Sequence, residues 1–493
     1  MDELSPGKQI IATIALILGS FLFVLDYTIA NVAIPYIAGG LAAGVSEGTY
    51  VITSFAVGNA IFIPMAGYFS DRFGMIRTLG LSLFLFTFFS ALCGAAPTLV
   101  SLVIFRFLQG AAAGPLIPLS QGLLVMIQKP KHVNTVLGIF SMVVLVAPVL
   151  GPIIGGYFCL YWEWRWIFYI NVPIGIFCTV VVFETLSHLN KVNLKRRVDY
   201  ISFALLFVGM SALQIFLDKG QEWDWFGSER IWVLAIIAFL GTFYLLLWTF
   251  MTKKPLLELS LLRVRNFAIA CIVIFFAYST YIGSVVIIPL WLQTEMGYTA
   301  LAAGIAVAPI GIGSIIISIP IAKAMKWTGP IWPMLIGFIL VSISNLYVRY
   351  FPFDVDRYHI MLSRLILGFG IGFWLTPLFM MATTSLPKEK LASGLGIFHF
   401  IRGLSGGIGT SVCTTMYLRR QIHQHENLIA NIRSCPESAA PLANHFIDQQ
   451  ASVIAINEVF QAMTYCTLFL CFILLFAFKG STKPADAPLI VAD

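Results

Sequence analysis

Long apolar runs recur along the whole chain, and each is about the length a helix needs to cross a bilayer, roughly 20 residues. They fall at 10–36, 50–70, 77–96, 99–126, 134–159, 165–186, 199–217, 230–250, 266–291, 301–323, 330–350, 358–382, 390–418 and 456–478, about fourteen in all. Strands of a membrane barrel are short segments of alternating polarity, whereas these runs are long and continuously apolar. The fold class that follows is an all-α polytopic membrane protein. Composition agrees, since 59% of the 493 residues are hydrophobic and 11% are charged, with a mean hydropathy of +0.90. A soluble domain carries about 25% charged residues, so this chain lacks the polar surface to wrap itself and the lipid bilayer must be its solvent.

The net charge of +7 does not point to nucleic acid, because the basic residues sit in short loops between the runs. The cysteines are scattered, mostly inside the runs, and have neither a disulfide framework nor the spacing of metal ligands. The first run is too long for the core of a signal peptide and is expected to stay as a span. Lysine and arginine then set the orientation. With the N-terminus in the cytoplasm, the inside loops hold Lys8, Arg72, Arg77, Lys129, Lys131, Lys191, Lys195, Arg196, Arg197, Lys253, Lys254, Arg263, Arg265, Lys323, Lys326, Lys388, Lys390, Lys479 and Lys483. The outside loops and span ends hold far fewer, so both termini are expected in the cytoplasm.

The two ends of the chain resemble each other. Arg106, Gly110 and Gly114 in the fourth run recur as Arg364, Gly368 and Gly372 in the twelfth, and Leu137–Phe140 recurs as Leu395–Phe398 at the same offset. Two parallel halves of six spans each, separated by an inserted pair, account for both matches and keep the loop charges on one side. The expected divisions are a first half at 1–186, a linker and inserted pair at 187–250, the first five spans of the second half at 251–418, an outside loop at 419–455, and a last span with a cytoplasmic tail at 456–493. Parallel halves with a site between them are a transporter architecture.

Asp26 lies inside the first run, where an ionisable side chain costs roughly 2.5 kcal/mol or more on insertion scales. It is the candidate for binding the driving ion, against the alternative of a structural polar contact. Arg106 cannot lose its proton, so it needs a buried partner or must snorkel to the outer surface. At a helical rise of about 1.5 Å per residue, Asp26 lies roughly 15 Å and Arg106 roughly 10 Å below the outer ends of their spans, close enough in height to interact. After the second run comes Gly67-Tyr-Phe-Ser-Asp71-Arg72-Phe-Gly74-Met-Ile-Arg77. Its charges serve either as orientation signals and caps or as a latch between helix ends that favours one state. The fifth run carries Pro148, Gly151, Pro152, Gly155 and Gly156. Glycines four apart give a flat packing face, and the prolines break backbone hydrogen bonds, which suits a seal or a rocking pivot.

These three segments resemble signature motifs of the major facilitator superfamily, the Gly-Pro segment being characteristic of its exporters. Leu25–Pro35 and Trp164–Gly175 are similar to the fourteen-span drug:proton antiporters of that superfamily, and the likeness runs nearly end to end. It extends to inner-membrane components of Gram-negative tripartite pumps. The resemblance implies proton-coupled export of lipophilic small molecules by alternating access, powered by the proton gradient without a bound cofactor or metal. It also implies a periplasmic membrane-fusion adaptor and an outer-membrane channel as partners. Met75 and Ile76 replace the family's usual basic pair, and His399 stands where an asparagine is frequent, one turn before Arg402. A membrane histidine titrates near neutrality and suits either proton transfer or a structural hydrogen bond.

No phosphate-binding Gly-rich loop, zinc-binding His-Glu-x-x-His or nucleophile elbow occurs, so the chain reads as a carrier and not as an enzyme. Candidate cavity residues, chosen because they lie in core spans, are Asn31, Asn59, Gln121, Tyr278, Tyr281, Gln293, His399 and Arg402. The polar stretch at 419–455 is either an adaptor contact or a solvated loop, and the irregular spacing of His423, His425 and His445 does not suit a metal site. Export of one metabolite, fatty acid or siderophore is the competing function; a non-transporting sensor is a second, disfavoured by the repeat and the buried acid.

Overall fold

The computed structural model describes residues 5–189, 199–252, 255–352, 354–431 and 440–476. The inside-loop positions Lys191, Lys195, Arg196, Arg197, Lys253, Lys254, Lys479 and Lys483, and most of the expected cytoplasmic tail, lie outside them. The helices of the first half are α1 (Pro6–Gly40), α2 (Val45–Gly48), α3 (Tyr50–Phe62), α4 (Ala66–Phe73), α5 (Met75–Gly94), α6 (Leu99–Ala113), α7 (Leu116–Ile127), α8 (Pro130–Tyr161), α9 (Trp166–Tyr169) and α10 (Asn171–Leu186). The inserted pair is α11 (Tyr200–Lys219) and α12 (Glu229–Met251). The second half follows as α13 (Arg265–Thr294), α14 (Ala300–Val307), α15 (Pro309–Thr328), α16 (Ile331–Arg349), α17 (Arg357–Thr384), α18 (Leu391–Asn431) and α19 (Ala440–Leu474).

Among the described residues, 12 helical segments are long and apolar enough to cross a membrane, and α3 with α4 makes a further span bent by 55°. The bend falls at Ile63–Met65, where Pro64 cannot donate a backbone hydrogen bond. Its sequence counterpart Pro320 sits within unbroken α15, and in the second half the break comes earlier, at Ala308–Pro309. The 41-residue α18 falls outside that set and packs lengthwise against α13 and α19, so the described residues support 12 or 13 of the roughly fourteen expected spans.

One expectation is corrected at 419–455. Helix α18 continues through Asn431 and α19 starts at Ala440, so the polar stretch is mostly a pair of helical extensions rather than a loop, with 432–439 outside the described residues. The last span correspondingly begins before 456. Polarity here marks exposure to water, while Leu, Gln, Glu, Arg and Ala remain good helix formers. The two extensions are tied by Arg420 Nε to Glu458 at 3.3 Å, by Gln424 Nε2 donating to Glu458 Oε1 at 3.0 Å, and by His425 against Asp448 at 2.7 Å.

The packing repeats between halves. In the first, α1 packs on α8 and α10, α3 on α6, and α5 on α10; in the second, α13 packs on α18 and α19, α15 on α17, and α16 on α19. The same glycines make it possible. Gly110 of α6 lies directly on the Phe55 carbonyl of α3, and Gly368 of α17 lies on the Ile310 carbonyl of α15. The halves meet at two related places, α8 against α15 and α18 against α4. Helix α12 is largely exposed on the outside of the bundle, with 17% of its membrane window buried. Helix α11 is different: it packs against α3 of the first half and α18 of the second, with Ser411 of α18 donating to the Leu217 carbonyl at 2.9 Å.

A Cβ at Gly110 would collide with backbone, whereas one at Gly156 would meet nothing within 4 Å. Gly110→Ala is therefore expected to cost roughly 1–3 kcal/mol. It should lower the thermal midpoint of the detergent-solubilised protein well below that of Gly156→Ala, measured side by side.

Candidate functional site

Asp26 and Arg106 are both fully buried and face each other, with Arg106 Nη1 at 2.5 Å from Asp26 Oδ2. Burial makes each charge costly unless its remaining polar atoms are also satisfied. The other carboxylate oxygen of Asp26 accepts from Gln109 Nε2 at 3.1 Å and from Asn171 Nδ2 at 2.7 Å. Arg106 donates through Nε to the Val51 carbonyl at 3.2 Å and through Nη1 to Gln109 Oε1 at 2.8 Å. Its guanidinium lies 4.1 Å from the Phe55 ring centroid and 5.4 Å from that of Phe168. Asn171 also donates to Ser90 Oγ at 3.0 Å, and Ser90 donates to the Phe168 carbonyl at 2.9 Å. Six helices, α1, α3, α5, α6, α9 and α10, thus contribute to one buried polar cluster.

Gln109 and Asn171 are the members that sequence reasoning missed. Gln109 stands one turn after Arg106 and shares its face, which is the signal that could have found it. The second half keeps the cation but not the acid. Arg364 is fully buried, donates to Ser284 Oγ at 2.5 Å and to Ser363 Oγ at 3.2 Å, and among the described residues meets no carboxylate at ion-pair distance.

The other motifs surround this cluster. Helix α8 runs unbroken through Pro148 and Pro152, and Gly151 and Gly155 lie on α1 at Thr28 and Ile29, directly after Asp26. A Cβ on Gly155 would stand 2.8 Å from the Ile29 carbonyl, so the glycines let α1 and α8 approach backbone to backbone beside the acid. Gly156 faces open space and takes no part in that contact. At the membrane face whose loop charges predict the cytoplasm, a Cβ on Gly67 of α4 would stand 2.5 Å from Ser393 Cα of α18, which joins the two halves. Gly74 turns the chain from α4 into α5 with φ of 88°, a left-handed value that glycine adopts without strain. Arg72 Nη1 donates to the Tyr68 hydroxyl at 2.8 Å, and Asp71 and Arg77 are likewise engaged.

A second inter-half contact lies deeper. His399 of α18 is buried and its Nε2 shares a hydrogen bond of 2.5 Å with Gln121 Oε1 of α7. Phe379 and Phe398 pack edge-on against the imidazole. Arg402, one turn on, donates to the Tyr278 hydroxyl at 3.1 Å and lies 4.9 Å from its ring centroid. Gln121, Tyr278, His399 and Arg402 are therefore gathered at the interface of the halves. Tyr281 instead lines a small cavity inside the second half with Thr280, Asn345 and Trp374. Asn59 is buried in α3; Asn31 and Gln293 are exposed, and Gln293 folds back onto the Pro289 carbonyl of its own helix.

Comparison with known proteins identifies the family. A family model described as Major Facilitator Superfamily matches residues 16–410. The chain is 38% identical over 476 residues to the multidrug export protein EmrB of Escherichia coli K12, covering 93% of each chain. It is 38% identical over 491 residues to EmrB of Haemophilus influenzae, covering 96% of each. It is 37% identical over 467 residues to the fatty acid resistance protein FarB of Neisseria gonorrhoeae, covering 91% of this chain and 92% of that one. Among solved structures, the human organic anion transporter MFSD10 (TETRAN) matches with a TM-score of 0.62 at 14% identity, over 95% of this chain and 100% of that one, which shows the shared fold.

Removing one partner of a buried ion pair costs roughly 3–5 kcal/mol because the other charge is left uncompensated. Arg106→Gln is thus expected to lower the thermal midpoint of the purified protein more than the double variant Asp26→Asn/Arg106→Gln does. A double variant less stable than Arg106→Gln would show that the charges are not mutually compensating.

Proposed function

The chain belongs to the Major Facilitator Superfamily, and we propose that it exports lipophilic drugs or other toxic compounds across the bacterial inner membrane, exchanging them for protons by alternating access. The likeness to EmrB over nearly the whole chain supports the cargo class. The observation that carries the coupling is the Asp26–Arg106 pair, a carboxylate and a permanent cation sealed together in the first half. While charged, Asp26 is held by Arg106, Gln109 and Asn171. A proton on Asp26 removes the negative member of the pair and leaves Arg106 needing a new acceptor, so the helices that the cluster ties together lose their strongest link. Protonation thereby favours one arrangement of the halves and deprotonation the other. Gly67 meets Ser393 across the halves, at the face whose loop charges support a cytoplasmic side for both termini.

The same reading supplies partners. The polar extensions of α18 and α19 project from the opposite end of those helices and are tied to each other by ion pairs, which makes them a stiff platform for a periplasmic membrane-fusion adaptor that leads to an outer-membrane channel. Deletion of 425–445 is expected to abolish crosslinking to the adaptor while the protein still reaches the membrane; undiminished crosslinking refutes that docking site.

The coupling test is Asp26→Asn in membrane vesicles. The variant is expected to reach wild-type protein levels and lose drug-dependent proton release. Release at the normal rate would exclude Asp26 as the coupling group.

A further inference from the structure

Helix α11 brings a second carboxylate into the bundle that the Asp26 cluster does not use. Asp218 lies near the end of α11, between α3 of the first half and α18 of the second. Gln214 Nε2 donates to Asp218 Oδ1 at 2.9 Å, and the Thr53 hydroxyl of α3 also hydrogen-bonds the carboxylate. The charge of Asp218 acts on Tyr27 of α1, and Tyr27 is in electrostatic range of Tyr278 of α13, Arg402 of α18 and Arg106. Side chains of both halves therefore surround Asp218, and yet it is exposed to solvent. Asp218 is thus a solvent-accessible carboxylate at the junction of α11 with helices of both halves.

The neighbouring cations are occupied elsewhere. Lys219 is buried, donating to Thr49 Oγ1 at 2.8 Å and Glu222 Oε2 at 2.5 Å and lying 4.4 Å from the Tyr50 ring centroid. Arg402 is turned onto Tyr278, and Arg106 is committed to Asp26. Among the described residues, no Lys, Arg or His closes an ion pair with Asp218. The Lys219 charge acts on Asp218 from alongside, but its ammonium is spent on Thr49 and Glu222, so a carboxylate hydrogen-bonded only by neutral donors still attracts a cation. The aromatic faces of Tyr27 and Tyr278 add favourable contact for a cation with flat rings. Asp26, by contrast, is sealed and cannot touch cargo in this arrangement.

We propose that Asp218 is the anionic contact of a binding site for lipophilic organic cations, walled by Tyr27 of the first half and Tyr278 of the second. The cation's charge sits at the Asp218 carboxylate, and its rings lie against the two tyrosines. The site deepens the exporter reading and rests on it for its role, but its ligand chemistry can be measured without transport.

The test is binding of tetraphenylphosphonium, and of the neutral triphenylphosphine oxide, to the purified full-length protein and to Asp218→Asn and Asp218→Glu. A desolvated charge contact is worth at least about tenfold in affinity. Asp218→Asn is expected to raise the Kd for tetraphenylphosphonium by that factor or more, Asp218→Glu to recover most of the loss, and the Kd for the neutral probe to change less than about twofold. An unchanged Kd for the cation in Asp218→Asn, an equal loss for both probes, or no cation binding by the wild type overturns the proposal. Uncoupler-sensitive export, measured in parallel, separates the two levels. Asp218-dependent binding without export of any probe by the wild type sinks the exporter reading and leaves the site standing. Export of the neutral probe without Asp218-dependent cation binding does the reverse.

Discussion

The first half is held by a pair of charges that water never reaches. Asp26 and Arg106 are tolerable in that position only because their contact is short and the remaining atoms of the carboxylate are filled by amides from α6 and α10. The cost of breaking any one of these contacts ties α1, α3, α6 and α10 into a unit that moves together. Glycines complete the effect, since Gly110 and Gly151 let α6 and α8 lie directly on the backbones of α3 and α1 beside the pair. A half built in this way suits rigid-body rocking, and it keeps the acid proposed to bind the proton sealed from solvent.

The second half copies the packing but not the chemistry. Gly368 repeats the close approach of Gly110, and Arg364 repeats the burial of Arg106, yet Arg364 meets the hydroxyls of Ser284 and Ser363 in place of a carboxylate. Ser284, which stands at the same offset from Asp26 as Arg364 does from Arg106, supplies a hydroxyl where the first half has the carboxylate. The scaffold is therefore nearly symmetric while the titratable pair is not. The junctions of the halves share that asymmetry. The contact of α4 with α18 corresponds to that of α15 with α8, but α11 sits only beside the former, where it adds Asp218 to a junction that a twelve-span carrier would form without it.

What was legible in the sequence follows from energy. An acid and an arginine inside apolar runs are conspicuous because each needs a partner, and their heights already allowed them to meet. Gln109 and Asn171 are neutral and cheap by comparison, so nothing in composition singled them out. Which way Asn31, Gln293 and Tyr281 point is decided by packing between distant segments, which no local pattern encodes; two are exposed and the third lines the interior of the second half. The polar stretch after the thirteenth run was expected as a loop because polarity signals water, yet water does not forbid helix, and α18 and α19 continue through most of it. Asp218 was hidden by its neighbour. Beside Lys219 at the end of a run it resembles an ordinary interfacial charge, and only the structure shows the lysine turned away to Glu222.

Coupling requires that cargo and proton influence each other, and the two proposed sites stand one residue apart on α1. Tyr27 follows Asp26 in the chain and lies within electrostatic range of Asp218 and Tyr278. The Phe55 ring, which covers the guanidinium of Arg106 at 4.1 Å, also packs against Tyr27 at 6.0 Å and stacks on Phe23 at 6.1 Å. A cation seated against Tyr27 therefore touches the same aromatic layer that shields the buried pair. Because Arg106 keeps its charge throughout, only Asp26 can respond by taking up or releasing a proton. The distance between the two events is the thickness of one helix and one ring, short enough for electrostatics and packing to act together in a medium without water to screen them.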